Sequence, residues 1–274
     1  MKWQHKCSLD WLKARQNFLT ASDIKDLLPV TRTGRKRTVS DEDYIKVLSR
    51  KRSLITEDDC ISYGAMARGH IMEPYAIEMF NSVCSGFGAP ELYHWDDKIV
   101  TSTIAIDHYP LAFSPDAVDI PMDSNLLLHP VGTVTTLGGL TPRSIGEIKS
   151  YSPERHMICA NTAPEDLEER WQIATAMAVC SKIETAYLIF YNPSMREQMC
   201  VKVYDRNMLN KELEMISETY AEWRKWLDDY YTTGIFGHAY AKSFCFESNE
   251  NNEQKIIERI MEKEKQSPFK TVLE

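Results

Sequence analysis

The chain has 274 residues, of which 43% are hydrophobic, 10% aromatic and 26% charged, with a formal net charge of −8. That length holds one large domain or two small ones, and the composition is that of a soluble globular protein with a real core, not of a disordered chain. No apolar run is long enough to cross a bilayer, and the Met-Lys-Trp-Gln-His-Lys start lacks the apolar stretch of a secretory signal, so a cytosolic location is expected.

In chain order, the spacing of Leu9, Leu12, Phe18 and Ile24 behind a Ser8 cap predicts a helix over residues 8–28, with a break point near Thr20-Ala21-Ser22. A second helix is expected over 41–52. Met66, Ile71, Tyr75, Met79 and Phe80 predict a third over 63–83, with Gly69 tolerated at a close approach and Pro74 near a turn boundary. Strands follow at 99–106, 112–120 and 144–149. The Gly-, Thr- and Pro-rich stretch 121–142 between the last two reads as a loop or a hairpin insertion at a sheet edge.

A helix over 164–181, strands at 184–191 and 198–204, and a long amphipathic helix over 207–231 complete the pattern. Residues 247–274 are highly charged and follow a polar run, as expected of a peripheral helix or a mobile tail. This order predicts an α/β fold, a central mixed sheet flanked by helices. One domain is expected over 1–240, with an insertion near 121–142 and a charged extension over 241–274.

Seven scattered cysteines form no Cys-x-x-Cys pair, which argues against a disulfide framework, a zinc site or an iron–sulfur cluster. The seven histidines likewise show no ligand spacing. Net negative charge argues at first against nucleic acid, but residues 1–72 hold 14 Lys and Arg against 9 Asp and Glu. Thr-Arg-Thr-Gly-Arg-Lys-Arg at 31–37 and Arg-Lys-Arg at 50–52 are the densest basic pieces, either a solvated surface or a contact for phosphates.

The strand Ser-Ile-Gly-Glu-Ile-Lys at 144–149 carries Glu147 and Lys149 two positions apart, hence on one face, with Ile145 and Ile148 expected toward the other. Asp116, in Ser-Pro-Asp, stands on the preceding predicted strand. Two carboxylates converging from adjacent strands suit a hard divalent cation, and the backbone carbonyl of Ile148 can join them. A nearby lysine could then deprotonate or position a water for attack on phosphorus. Glu-x-Lys by itself is as well explained by a surface ion pair.

Ser-Pro-Asp followed by a strand and then Glu-x-Lys is similar to the pattern of the PD-(D/E)XK nuclease superfamily. The flanks resemble its phage lambda exonuclease-like, or YqaJ-type alkaline exonuclease, family. Trp11-Leu-Lys-Ala-Arg15 with Leu19-Thr20-Ala21-Ser22 looks like the family's N-terminal signature, and Gly69-His-Ile-Met-Glu73 like its helix bearing an acid over the metal site. Ser114-Pro115-Asp116, Glu147-Ile-Lys149 and Gln172 complete five short motifs in the family's order, over most of residues 9–205.

The resemblance implies that Asp116, Glu147 and the Ile148 carbonyl ligate Mg²⁺, with Mn²⁺ as a substitute and two ions per site. Lys149 would act on the attacking water, and Glu73 would hold a metal-bound water or help bind a second ion. Arg15, Ser22, Ser114 and Gln172 would receive the 5′-terminal phosphate, a role their donor chemistry suits independently. Ser22 as a helix cap, Ser114 as a turn residue and Gln172 as a surface residue are the competing local readings.

The family further implies a homotrimer threading double-stranded DNA, processive 5′ to 3′ digestion, and a 3′ overhang handed to a single-strand annealing protein in a bacterial host, from a phage or prophage gene. Arg32, Arg35, Lys36 and Arg37 are the expected grip on DNA. A PD-(D/E)XK endonuclease and a catalytically silent DNA-end-binding protein are the alternatives. The long connection over 117–146, Ala117, Ala174 and the extension beyond about 235 depart from the family's pattern.

Overall fold

A computed structural model describes residues 9–31, 34–56, 65–95, 99–101, 109–120, 134–136 and 142–233, together with 258, 259 and 262. Residues Met1–Trp226 form one compact unit and Leu227–Glu274 a second. In the second, the described residues are the end of a helix, where Tyr230 and Tyr231 meet edge to face, and helical positions at 258, 259 and 262.

The first unit opens with α1 (Leu9–Gln16), β1 (Leu19–Thr20) and α2 (Ala21–Leu27), so the expected 8–28 helix is broken near Thr20. The cause is local. Asp23 accepts from both the Thr20 N–H, at 2.9 Å, and the Thr20 hydroxyl, at 2.7 Å, which caps a new helix instead of continuing the old one. α3 (Asp41–Arg52) has the bounds expected, opened by a reciprocal Ser40–Asp43 cap.

α4 (Ala65–Cys84) contains Pro74, which was expected near a turn boundary. β2 (Tyr93–His94), β3 (Ile99–Thr101), β4 (Leu111–Phe113), β5 (Ala117–Val118), β6 (Val134–Thr136) and β7 (Ser144–Lys149) follow. The strand expected over 112–120 is therefore two strands. They belong to different sheets: β4 lies in a four-stranded sheet ordered β1-β4-β3-β6, β5 in a five-stranded one. Pro115 lacks an N–H for a ladder and stands at the crossover.

Residues 102–106 of the strand expected over 99–106 lie outside the described residues, as does most of the 121–142 insertion. The insertion's β6 is an edge strand, parallel to β3.

Next come α5 (Pro153–Asn161), α6 (Arg170–Val179), β8 (Thr185–Tyr191), β9 (Met199–Asp205) and α7 (Asn210–Thr233). α5 was not anticipated, although Ser152 as cap and Pro153 in the first turn are a helix-start signature. α6 starts later than the expected 164, because Pro164–Asp166 forms only a tight 3₁₀ turn.

β8 and β9 complete the mixed sheet β2-β5-β7-β8-β9, in which β7 and β8 are parallel and the other neighbours antiparallel. On one face Ile148, Tyr187, Ile189 and Tyr191 pack with Ala76, Ile77 and Phe80 of α4. Ile145, expected on that face, lies on the other. The two-residue period puts it with Glu147, and both line one cavity with Ile173 and Ala176 of α6.

Gly146 sits where β7 is most crowded. A Cβ there would come within 3.0 Å of Leu92 Cδ1 and 3.2 Å of the Ala117 Cβ. Among the described residues no helix is long and apolar enough to cross a membrane.

Candidate active site

Where β4 ends and β5 begins, a cavity of about 230 Å³ opens between the sheet, α2 and α6. Its lining includes Arg15, Ser22, Ser114, Asp116, Glu147 and Gln172, six positions spread over 158 residues of sequence. All four expected phosphate-pocket residues and both expected carboxylates share it.

The acidic end is built by strand geometry. Asp119 and Asp116 donate their N–H groups to the carbonyls of Ser144 and Gly146, so alternate residues of β7 turn their backbone polar groups to the β5 edge. Ile148 is next in that series. Its N–H donates to Asp116 Oδ2 at 2.7 Å, and its carbonyl, which shares the direction of its N–H on a strand, is turned to the same edge. Glu147 points to the opposite side of the pleat from Ile148 and accepts from Lys149 Nζ at 2.6 Å.

Burial pulls the Lys149 ammonium down, but the carboxylates of Glu147, Asp116 and Glu169 outweigh it and hold it above the ordinary lysine range. In the metal-free protein Lys149 is thus a cation and a donor at neutral pH.

At the other end Arg15 donates to Ser22 Oγ at 3.2 Å and Thr20 Oγ1 at 3.5 Å, and its guanidinium lies 5.1 Å from the Trp11 ring centroid. Stack and hydroxyls fix the fork at the cavity wall. Ser22 is exposed in the first turn of α2, whose cap is Thr20, so the helix-cap reading of Ser22 does not apply. Gln172 enters from the first turn of α6.

Glu73 is buried and is not part of the cavity lining. It joins the site through His70, which does line the cavity and whose Nδ1 is 3.0 Å from Glu73 Oε1; His94 Nε2 is 3.2 Å from Oε2. Neither histidine was singled out from the sequence. His70 stands three residues before Glu73 on a helix, a legible spacing. His94 reaches it from β2, with no local signal.

Among the described residues no group of three or more His, Cys, Asp and Glu side chains gathers as a metal cluster. Mg²⁺ does not require one. Two carboxylates on one cavity, a backbone carbonyl turned to the same edge and room for water are the sparse oxygen set it accepts, and the residues present fit it.

The basic stretches divide. Arg37 donates to the carbonyls of Leu28, at 2.8 Å, and Asp26, and to Asp43 at 3.1 Å, anchoring the base of a tight turn. Arg35 and Lys36 are exposed on that turn, where Gly34 takes φ +75° and Thr31 N–H donates to the Arg35 carbonyl. Arg32 lies outside the described residues. Of the 50–52 run, Lys51 is turned inward on Asp23, and Arg50, still exposed, pairs with Asp23 and Asp26.

No family model and no curated protein matches the chain. Solved structures do. The crystal structure of LHK-Exo in complex with dAMP superposes with a TM-score of 0.52 at 18% identity, over 84% of this chain and 99% of that one. That of the alkaline exonuclease LHK-Exo from Laribacter hongkongensis gives 0.51 at 17% identity, over 81% and 95%. The chain has the α/β fold of that alkaline exonuclease.

Proposed function

We propose that this protein is a metal-dependent exonuclease acting on the ends of double-stranded DNA, a PD-(D/E)XK enzyme of the lambda exonuclease type. The observation that carries the reading is one cavity with Asp116 and Glu147 at one end and Arg15, Ser22, Ser114 and Gln172 at the other. A terminal phosphate held by the second group sets the first phosphodiester bond beside the first group. That arrangement selects an end over an interior site. The fold shared with an alkaline exonuclease, and the mononucleotide dAMP bound by that enzyme, agree with release of single nucleotides.

Asp116, Glu147 and the Ile148 carbonyl would hold Mg²⁺, or Mn²⁺ in its place, one of two ions expected at the site. When bound, such an ion supplies charge neutralisation at phosphorus and favours hydroxide over water. The protein's own residues do the rest. Arg15 clamps phosphate oxygens through its fork, with Ser22, Ser114 and Gln172 adding neutral donors. Lys149, whose ammonium lies beside Glu147, acts on the attacking water, positioning it or taking its proton. Glu73, fixed by His70 and His94, orients water at the far side of the site.

Digestion is 5′ to 3′ and processive in this reading, carried out by a homotrimer around the duplex, and leaves a 3′ overhang for a single-strand annealing protein. The setting is the cytoplasm of a bacterial host, with a phage or prophage as the source. Exposed Arg35 and Lys36 supply cationic contact to the DNA backbone.

The deciding measurement is nucleotide release with Mg²⁺ from linear duplexes bearing 5′-phosphate or 5′-hydroxyl ends, with covalently closed circles as control. Mononucleotides from linear DNA, faster with the phosphate and none from circles, are expected. Cutting of closed circles would make the protein an endonuclease. Binding of ends without cleavage in Mg²⁺ or Mn²⁺ would make it a silent end-binding protein.

A further inference from the structure

A buried acid beside the proposed site has no part in the reading above. Glu169 immediately precedes α6, is 3% exposed, and lies three residues before the cavity's Gln172. Its Oε1 accepts from the Tyr151 hydroxyl at 2.6 Å and from Arg155 Nη2 at 3.4 Å. Its Oε2 is buried with no hydrogen-bond partner among the described residues. An ionisable oxygen left so is costly and calls for a partner in another state of the site.

The candidate is two residues from Tyr151 along the chain. Lys149 feels the charge of Glu169, yet its ammonium is at present on Glu147, 2.6 Å away. Glu147 cannot give its carboxylate fully to a divalent cation while it also holds that ammonium. Cation and lysine compete for one group.

We infer that Glu169 is the second acceptor for the Lys149 ammonium, a positioning residue that takes the lysine over when Glu147 turns its carboxylate to the cation. Tyr151 and Arg155 occupy Oε1, which leaves Oε2 as the oxygen available for this exchange. The lysine stays charged and paired in both states, and the metal site opens without stranding a buried cation. This role rests on the nuclease reading of the site.

The test is a double-mutant cycle over E169Q, K149M and the double variant, read by Mn²⁺ binding (electron paramagnetic resonance of the free ion) and by nucleotide release from 5′-phosphorylated duplex. In the otherwise native chain E169Q is expected to weaken Mn²⁺ binding about five- to tenfold; in the K149M background the shift stays within about twofold. E169Q also lowers kcat about tenfold or more, with KM for DNA ends unchanged, because the lysine then remains on Glu147. Y151F has the same sign and a smaller size.

Equal weakening of Mn²⁺ binding in both backgrounds would reduce Glu169 to a general field effect and overturn the inference. So would a lower melting temperature with binding and kcat untouched. A native chain that binds Mn²⁺ but releases no nucleotide defeats the nuclease reading alone, and the binding cycle still decides on Glu169. A native chain that binds no Mn²⁺ overturns both.

Discussion

Ile148 donates its backbone N–H to Asp116 Oδ2 at 2.7 Å, a bond that joins the Ser-Pro-Asp crossover to the Glu-Ile-Lys strand across 32 residues of sequence. It orients the Asp116 carboxylate and brings the Ile148 carbonyl to the same edge. Asp116→Asn keeps the side chain's shape and an acceptor for that N–H while removing the charge. Nucleotide release should fall on the order of 10²–10³-fold, as when one preorganised electrostatic group is lost. Thermal unfolding should move little, and an equal loss of both would assign Asp116 to structure.

Arg15 should govern the choice of DNA end. Arg15→Lys retains the charge but loses the fork toward Ser22 and Thr20 and the contact with Trp11. The preference for 5′-phosphate over 5′-hydroxyl ends should drop about tenfold, roughly 1.4 kcal/mol. Competition between the two labelled ends in one reaction measures it, and an unchanged ratio would remove Arg15 from the phosphate pocket.

The basic residues of the 31–37 stretch should separate by role. Arg37→Ala removes three intrachain bonds and should destabilise the fold by about 1–3 kcal/mol in urea, with DNA affinity per folded molecule retained. The pair Arg35→Ala and Lys36→Ala should leave stability unchanged and reduce the slope of log affinity against log salt by up to about 2. Fluorescence anisotropy across a salt series distinguishes them.

Asp23 is 4% exposed and bound by Lys51 at 2.5 Å, Arg50 at 3.4 Å and both Thr20 donors. Burial pushes its carboxyl up, but Lys51 and then Thr20 outweigh burial and hold it below the ordinary range. The folded pKa thus lies below the unfolded one, about 3.9. Its stabilisation is complete above that value and is lost as pH falls through the folded pKa. Asp23→Asn should cost about 3–5 kcal/mol at pH 7, where it strands a buried lysine, and the gap should narrow below about pH 4. Urea titrations at pH 7, 5 and 3 measure it; a constant gap would refute the pairing.

Gly146→Ala tests the packing behind the site. The added methyl meets Leu92 at 3.0 Å and Ala117 at 3.2 Å, so a cost of about 1–3 kcal/mol is expected. Leu92→Ala in the same chain makes room and should recover part of it, a coupling read directly from the denaturation midpoints.

Much of this was legible locally. Ser40 with Asp43 marks the start of α3 at residue 41. Ser114, Pro115, Asp116, Glu147, Arg15 and Ser22, each named by its motif, do share one cavity. Two features were legible but misread. Ile145 has the parity of Glu147, and Ser152-Pro153 opens a helix.

The rest depended on partners far along the chain. Ser114–Asp116 reads as the middle of one strand, and only the pairing of β4 with β1 and β3, and of β5 with β7, makes it the crossover between two sheets. Arg50 and Lys51 read as a basic patch until Asp23 meets them, and nothing local marks His94, 21 residues away, as a partner of Glu73 beside His70. Backbone periodicity, caps and proline act over a few residues, so the sequence by itself determined the elements and the identity of the reactive groups. Which charge neutralises which, and which strand meets which sheet, follow from burying those elements against one another, and only the tertiary structure decided them.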